Sequence, residues 1–304
     1  MIKLRNLDPS VRGIVETSLD VWPTIEPIYV DTTSSAAGTG KPGTNPANPH
    51  STMSSAFDEV ETGGIIFVRG DIREQITSPL GVHGVKVIGL HGGNSRHDNG
   101  VRWREAATAG DAPLITVREQ GWEFHNILFV PQATYAAIRL RRQEDATYPD
   151  GSHAIIEGCR FHGNVVTPAG IGVEDYGGHF NVRIENNTFL GLVDGYLVSN
   201  QGISMPTYTQ FLNNVLVSNT NHFRGAQTAA VIQGNRFLNL GATTYINTEY
   251  GNVGLDNMVI FNWFPDLGTD IKEDSGYLGN ATDTWANYST GTAALIVESP
   301  PGAS

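Results

Sequence analysis

The sequence predicts an all-β solenoid, in which the chain winds into successive coils of about 27 residues behind one short helix. Three observations predict it. Glycine is abundant, at 35 of 304 residues, while only 16% of residues are charged, so turns and buried strands must be numerous. From Ile65 to Phe264 apolar residues fall in short runs broken by Gly, Asn and Pro, and no helical spacing interrupts them. Within that stretch one six-residue word recurs at a near-constant interval.

The elements follow in chain order. Residues 1–27 read as an arm with one short segment, VRGIVETSLDVW, closed by Pro23 and Pro27. Ile28 to Val30 begin a strand, and the Gly, Pro, Ser and Asn that follow make a long loop. Its Gly40-Lys41 pair is not a phosphate loop, because Pro42 stands where a magnesium-binding Ser or Thr is needed. Ser51 is placed to cap a short helix in STMSSAFDEV, whose Met53, Ala56, Phe57 and Val60 share one face, and Gly63-Gly64 stops it. The runs IIFVRGDIREQI and VKVIGL are then the first strands of the solenoid.

The word appears as FHNILF from Phe124, IEGCRF from Ile156, IENNTF from Ile184, FLNNVL from Phe211, IQGNRF from Ile232 and VIFNWF from Val259, with starts 32, 28, 27, 21 and 27 residues apart. That interval is too short for a propeller blade of about 40 residues and suits one strand-and-turn per coil. Stacked, the first and last positions form apolar columns that must face inward, each buried side chain worth about 1.5–3 kcal/mol. The fourth position reads Ile127, Cys159, Asn187, Asn214, Asn235 and Asn262, an inward ladder able to hydrogen-bond from coil to coil. The second and fifth positions are expected to point outward. From Pro265 the word is lost, and a segment with six acidic residues against one Lys is expected to cap the open end or to meet another copy.

Composition narrows the function. The balance of 19 basic against 31 acidic residues, 19 − 31 = −12, argues against a nucleic-acid partner. The single cysteine, Cys159, permits neither an internal disulfide nor a cysteine zinc site, and its inward column makes it buried and inert. No apolar run approaches the roughly 18 residues of a membrane span, and none follows the basic residues at the start, so no membrane insertion and no signal peptide are expected. The protein is accordingly expected to be made and kept, or assembled, in the cytoplasm.

The stacked words, with the helix STMSSAFDEV, the Gly63-Gly64 turn and the strand IIFV before them, resemble the pectin-lyase-like superfamily over residues 28–264. The resemblance implies a single-stranded right-handed parallel β-helix with a short N-terminal cap helix. The WIDH and R-x-P-x-x-R segments of secreted lyases are missing. The N-T-D, D-D, G-H-G and R-I-K blocks of polygalacturonases are only echoed, in His91-Gly92-Gly93 and Gly177-Gly178-His179, so no catalytic residue is carried over. An arm, a solenoid body and a trailing segment without an export signal resemble bacteriophage tailspikes and head or tail fibres, virion proteins assembled in the host cytoplasm. That resemblance implies a homotrimer, attachment to other virion proteins through residues 1–27, and a host surface polysaccharide as candidate ligand. The alternatives are a polysaccharide lyase or glycoside hydrolase, and a decoration protein without any ligand.

Two clusters are candidates for glycan contact. Glu157 and Glu185 hold the second word position one coil apart, at the carboxylate spacing of about 5 Å that suits retaining glycoside hydrolysis. Their proximity would raise one pKa, and Arg160 is expected between them, where a sugar or calcium site is an alternative. A solvated face on which Arg160 pairs a glutamate is the plainer account. Glu174, Asp175, Tyr176 and His179 lie in GVEDYGGHF, read as a Gly-flanked loop that gathers an acid, an imidazole and an aromatic platform, or as ordinary turn polarity. His153 and His162 have no third ligand at metal spacing, so no metal or other cofactor is expected, and calcium has no support beyond the acidic pair. Arg139 and Arg141 share one strand face, suited to an anionic glycan or, more simply, to the acidic C-terminal region of a neighbouring subunit.

Overall fold

The computed structural model describes residues 26–38, 43–90, 100–105, 112–131, 134–141, 151–199, 205–238, 244–247, 257–264, 282–285, 287–289 and 295–296. The arm up to residue 25, the echo at His91-Gly92-Gly93 and most of the C-terminal segment lie outside them.

Each coil contributes a strand to each of up to three sheets. In one coil these are Ile155–Glu157, Arg160–His162 and Ile171–Tyr176. The first sheet stacks ten strands from Ile28–Asp31 to Thr282–Trp285, the second ten from Asp71–Arg73 to Leu295–Ile296, and the third seven from Ile76–Thr77 to Thr244–Asn247. Every described pairing between coils is parallel, and the one antiparallel pair joins Asn287–Ser289 to Leu295–Ile296 at the end of the second sheet. The architecture is an all-β parallel β-helix.

The repeated word builds the corner between the first and second sheets. Its third residue bends the chain by adopting a left-handed backbone, at Asn126, Gly158, Asn186, Asn213, Gly234 and Phe261, with φ between 54 and 69°. Gly has no Cβ to clash there and Asn tolerates the conformation, which explains the residues the column prefers. Inside the corner the asparagine ladder is complete. The backbone N–H groups of Cys159, Asn187, Asn214 and Asn235 each donate to the side-chain carbonyl of the Asn one coil on, at 2.8–2.9 Å. The amide nitrogens of Asn187, Asn214, Asn235 and Asn262 donate back to the carbonyls of Ile156, Ile184, Phe211 and Ile232. Beside the ladder Phe129, Phe161 and Phe189 stack with ring centroids 5.2 and 4.7 Å apart, and Phe237 stacks on Phe264 at 4.9 Å.

The helix spans Met53–Glu59, and its cap is Thr52 rather than the expected Ser51: the Ser55 N–H donates to Thr52 Oγ1. The reason is visible in Glu74, whose carboxylate takes the N–H groups of Met53 and Ser54 and so fixes where the first turn begins. Phe57 meets Trp122 edge-on at 5.2 Å and seats the helix on the core.

Parallel pairing does not stop at residue 264. Thr282–Trp285 pairs with Asn257–Ile260, and Asn287–Ser289 with Trp263–Phe264. In register the added coil reads TWANYS from Thr284, with Asn287 in the fourth position but Thr and Ser at the ends of the word, which is why an apolar search misses it.

Candidate functional site

Side chains that could meet a ligand must stand on the outer faces, and the alternation along each strand decides which do. On the first sheet the second word position gives a column of His125, Glu157, Glu185 and Leu212 in register. Glu157 and Glu185 are therefore neighbours one coil apart, as expected. Their partners differ from the expectation. Arg160 belongs to the second sheet, around the corner, and the guanidinium beside Glu185 is Arg183 from its own strand. Glu157 faces His125, with Oε2 3.6 Å from Nδ1. His125 is buried, as is Ile260 further along the same column, so the column is outward but not solvated throughout.

Glu123, two residues before His125 and on the same face, completes the group. Its carboxylate lies 2.9 Å from His125 Nε2 and 3.2 Å from Lys86 Nζ. Burial raises the Glu123 pKa, but the hydrogen bond from His125 and the Lys86 charge outweigh it and hold the carboxyl below its ordinary range. An ionised Glu123 takes the N–H at Nε2 and leaves Nδ1 turned towards Glu157, which is 41% exposed. At 3.6 Å Nδ1 makes no hydrogen bond to Glu157, so the imidazole is held by Glu123 alone.

The segment GVEDYGGHF is a strand, not a loop, through Tyr176, and it splits the expected cluster in two. Glu174 and Tyr176 lie on the outer side of the strand, Tyr176 half-buried and Glu174 buried at 5% exposure, while Asp175 and His179 are fully buried. Within the coil His179 Nδ1 lies 2.6 Å from Asp175 Oδ1, and the Tyr196 hydroxyl donates to Asp175 Oδ2 at 3.2 Å. Gln227 donates to the Tyr196 oxygen and accepts from Thr209. Burial, and then the Asp175 charge, push the Tyr196 pKa well up, so that hydroxyl keeps its proton. Asp175 and His179 are thus interior hydrogen-bonding groups.

Outside, Arg139 Nε donates to Glu174 Oε2 at 2.6 Å, and Ser199 Oγ to Glu174 Oε1 at 2.6 Å. The Arg139 guanidinium sits over the Tyr176 ring, 5.4 Å from its centroid. Arg139 and Glu174 are paired in register on neighbouring strands. The patch therefore gathers an aromatic ring, a guanidinium and a hydroxyl around a buried carboxylate whose two oxygens are taken by Arg139 and Ser199.

Neither a family model nor a curated protein matches this chain. Two solved structures share its outline. The pectin methylesterase from Aspergillus niger is 15% identical, covering 90% of this chain and 88% of that one, with a TM-score of 0.43. The GH136 lacto-N-biosidase from Eubacterium ramulus is 11% identical, covering 94% of this chain and 68% of that one, with a TM-score of 0.31. The fold rests on the strand pairing itself.

His153 and His162 are both exposed, on different corners of their coil, and among the described residues no three His, Cys, Asp or Glu side chains converge as a metal site. Glu123, His125 and Ser199 were missing from the residues considered for glycan contact. A period of two counted outward from each word would have placed Glu123 beside His125, but Ser199 reaches Glu174 through a register that the sequence does not print.

Proposed function

We propose that this β-helix binds a surface polysaccharide on its outer face and serves as an adsorption protein of a bacteriophage virion, of the tailspike, fibre or decoration kind. The observation that carries the binding reading is the third-sheet patch, where Tyr176, Arg139, Glu174 and Ser199 lie together. An aromatic ring packs against the apolar face of a sugar while charged groups and a hydroxyl take its hydroxyls. A homotrimer, attachment through residues 1–27 and assembly in the host cytoplasm belong to the same reading, which they share with the architecture of an arm, a rigid solenoid and a trailing segment. The test is binding of the full-length protein to a panel of bacterial capsular and O-antigen polysaccharides. At least one should bind, and Tyr176→Ala should weaken it about tenfold, the loss of about 1.4 kcal/mol of ring contact. Binding by no member of the panel, or binding unaffected by that substitution, overturns the reading.

The second reading is a polysaccharide lyase or glycoside hydrolase, favoured by Glu157 and Glu185 in register beside His125. There Glu157 and Glu185 would be the catalytic carboxylates and His125, oriented by Glu123, would exchange a proton with Glu157. Release of new reducing or unsaturated ends by the wild type, abolished in Glu157→Gln, supports it; unchanged release in that variant removes the pair.

A further inference from the structure

In a chain of net charge −12, an arginine without a carboxylate partner is conspicuous. Arg69, Arg73, Arg104, Arg139, Arg183 and Arg224 each pair with an Asp or Glu. Arg102, Arg160 and Arg236 do not: no carboxylate, carbonyl or ring among the described residues meets their guanidinium groups. These three share one column. In register it runs Asp71, Arg102, Leu128, Arg160, Thr188, Val215, Arg236 and Trp263, along the outer face of the second sheet. Asp71, at its start, is already held by Arg73 and Arg104.

From Leu128 onward neither this column nor its outward neighbour, Val130, His162, Leu190, Val217 and Leu238, contains an acidic residue. Arg160 and Arg236 are exposed, and Trp263 is 46% exposed one coil beyond Arg236. With coils about 4.8 Å apart, the three guanidinium groups rise at intervals of about 10 and 14 Å on a straight line parallel to the solenoid axis.

We propose that this column binds a linear anionic polysaccharide, laid along the solenoid with its acidic groups at Arg102, Arg160 and Arg236 and a sugar ring on Trp263. The spacing decides the class. Duplex nucleic acid carries a charge about every 1.7 Å and would press most of them against an acidic protein, whereas a glycan with an acid on alternate sugars presents charges as sparse as the arginines. At physiological salt the screening length is about 8 Å, so each guanidinium acts as a separate contact and the repulsion from the net charge of −12 is muted. The column is independent of the third-sheet patch that carries the proposed function, and it stands or falls without it.

The test is affinity electrophoresis of the full-length protein in gels containing sodium hyaluronate, whose carboxylates fall on every second sugar, with neutral dextran and duplex DNA as comparators. Hyaluronate should retard the protein, less so as salt rises, and the triple variant Arg102→Ser, Arg160→Ser, Arg236→Ser should bind at least about tenfold more weakly, three exposed ion pairs of about 0.5 kcal/mol each. Arg69→Ser, which removes an exposed charge elsewhere, should bind as the wild type does. Because the three guanidinium groups make no hydrogen bond or ion pair among the described residues, the triple variant should keep its melting temperature, which separates lost binding from lost fold. No retardation, an unchanged triple variant, equal retardation by dextran, or tighter binding of duplex DNA overturns the proposal. So does a fall in native mass of the triple variant by light scattering, which would make the column a contact between subunits.

Discussion

Asn214 illustrates how much one side chain does in this core. Its carbonyl oxygen accepts from both the backbone and the side-chain nitrogen of Asn187, and its own amide donates to the Ile184 carbonyl and to Asn235. Removing it strands buried partners on both neighbouring coils, each at about 1–3 kcal/mol. Asn214→Ala should therefore lose about 3 kcal/mol, read as a shifted urea midpoint at unchanged slope. His222 makes a pH-dependent contribution. Burial pushes its pKa down to about 3 from an ordinary 6.5, so it folds neutral, while the unfolded chain takes up the proton first. Stability is then undiminished by this group above pH 6.5 and falls by about 1.4 kcal/mol per pH unit as the pH drops from there towards 3. His222→Gln should flatten that fall, measured as the difference in urea midpoint between neutral and mildly acidic buffer.

Among elements, the corner between the first and second sheets is the most demanding, because one residue per coil must bend left-handed. Gly234 adopts φ 69°, and a Cβ there would stand 2.3 Å from the Asn213 side-chain oxygen, an atom free to move. The backbone cost dominates, at about 1–2 kcal/mol for a residue that resists this conformation. Gly234→Ala should lower the melting temperature by several degrees and Gly234→Asn by clearly less, since Asn already fills that position in three other coils. The corner was legible in sequence because it repeats: inward Phe and Asn columns have a fixed interval, and the structure places them as the words imply. The candidate site was legible only in part. Glu157 and Glu185 occupy corresponding word positions and do stand side by side. Arg160 was misjudged because it follows the bend, and three residues across a corner change sheet. Asp175 and His179 were misjudged because GVEDYGGHF has the composition of a turn, yet its first residues continue a ladder whose alternation turns Asp175 inward to meet Tyr196. Polar residues inside a solenoid look like loop residues until the partner on the next coil is known.

For the molecule as a whole, each coil is stabilised chiefly by the two it touches, so the ends matter as much as the middle. The strands Thr282–Trp285 and Asn287–Ser289 cover what would otherwise be open edges at Asn257–Ile260 and Trp263–Phe264. A chain truncated after Phe264 should expose two unpaired parallel edges and associate, seen as growing light scattering on warming well below the melting temperature of the full chain. At this scale the sequence left the last coil unread, since its word keeps the asparagine and gives up the apolar ends.

The same asparagine contact, at 2.8 Å, spans 28 residues of chain between Cys159 and Asn187 and only 21 between Asn214 and Asn235. The shorter coil still supplies a strand to every sheet, at Val215–Val217, Asn221–Arg224 and Val231–Gln233. Coil length is therefore a free variable at the side of the solenoid where the second sheet passes to the third, with eight residues between His162 and Ile171 and three between Val217 and Asn221. Segments can be lengthened, shortened or exchanged there without disturbing register elsewhere, so such a protein can change what it meets outside while its interior stays as it is.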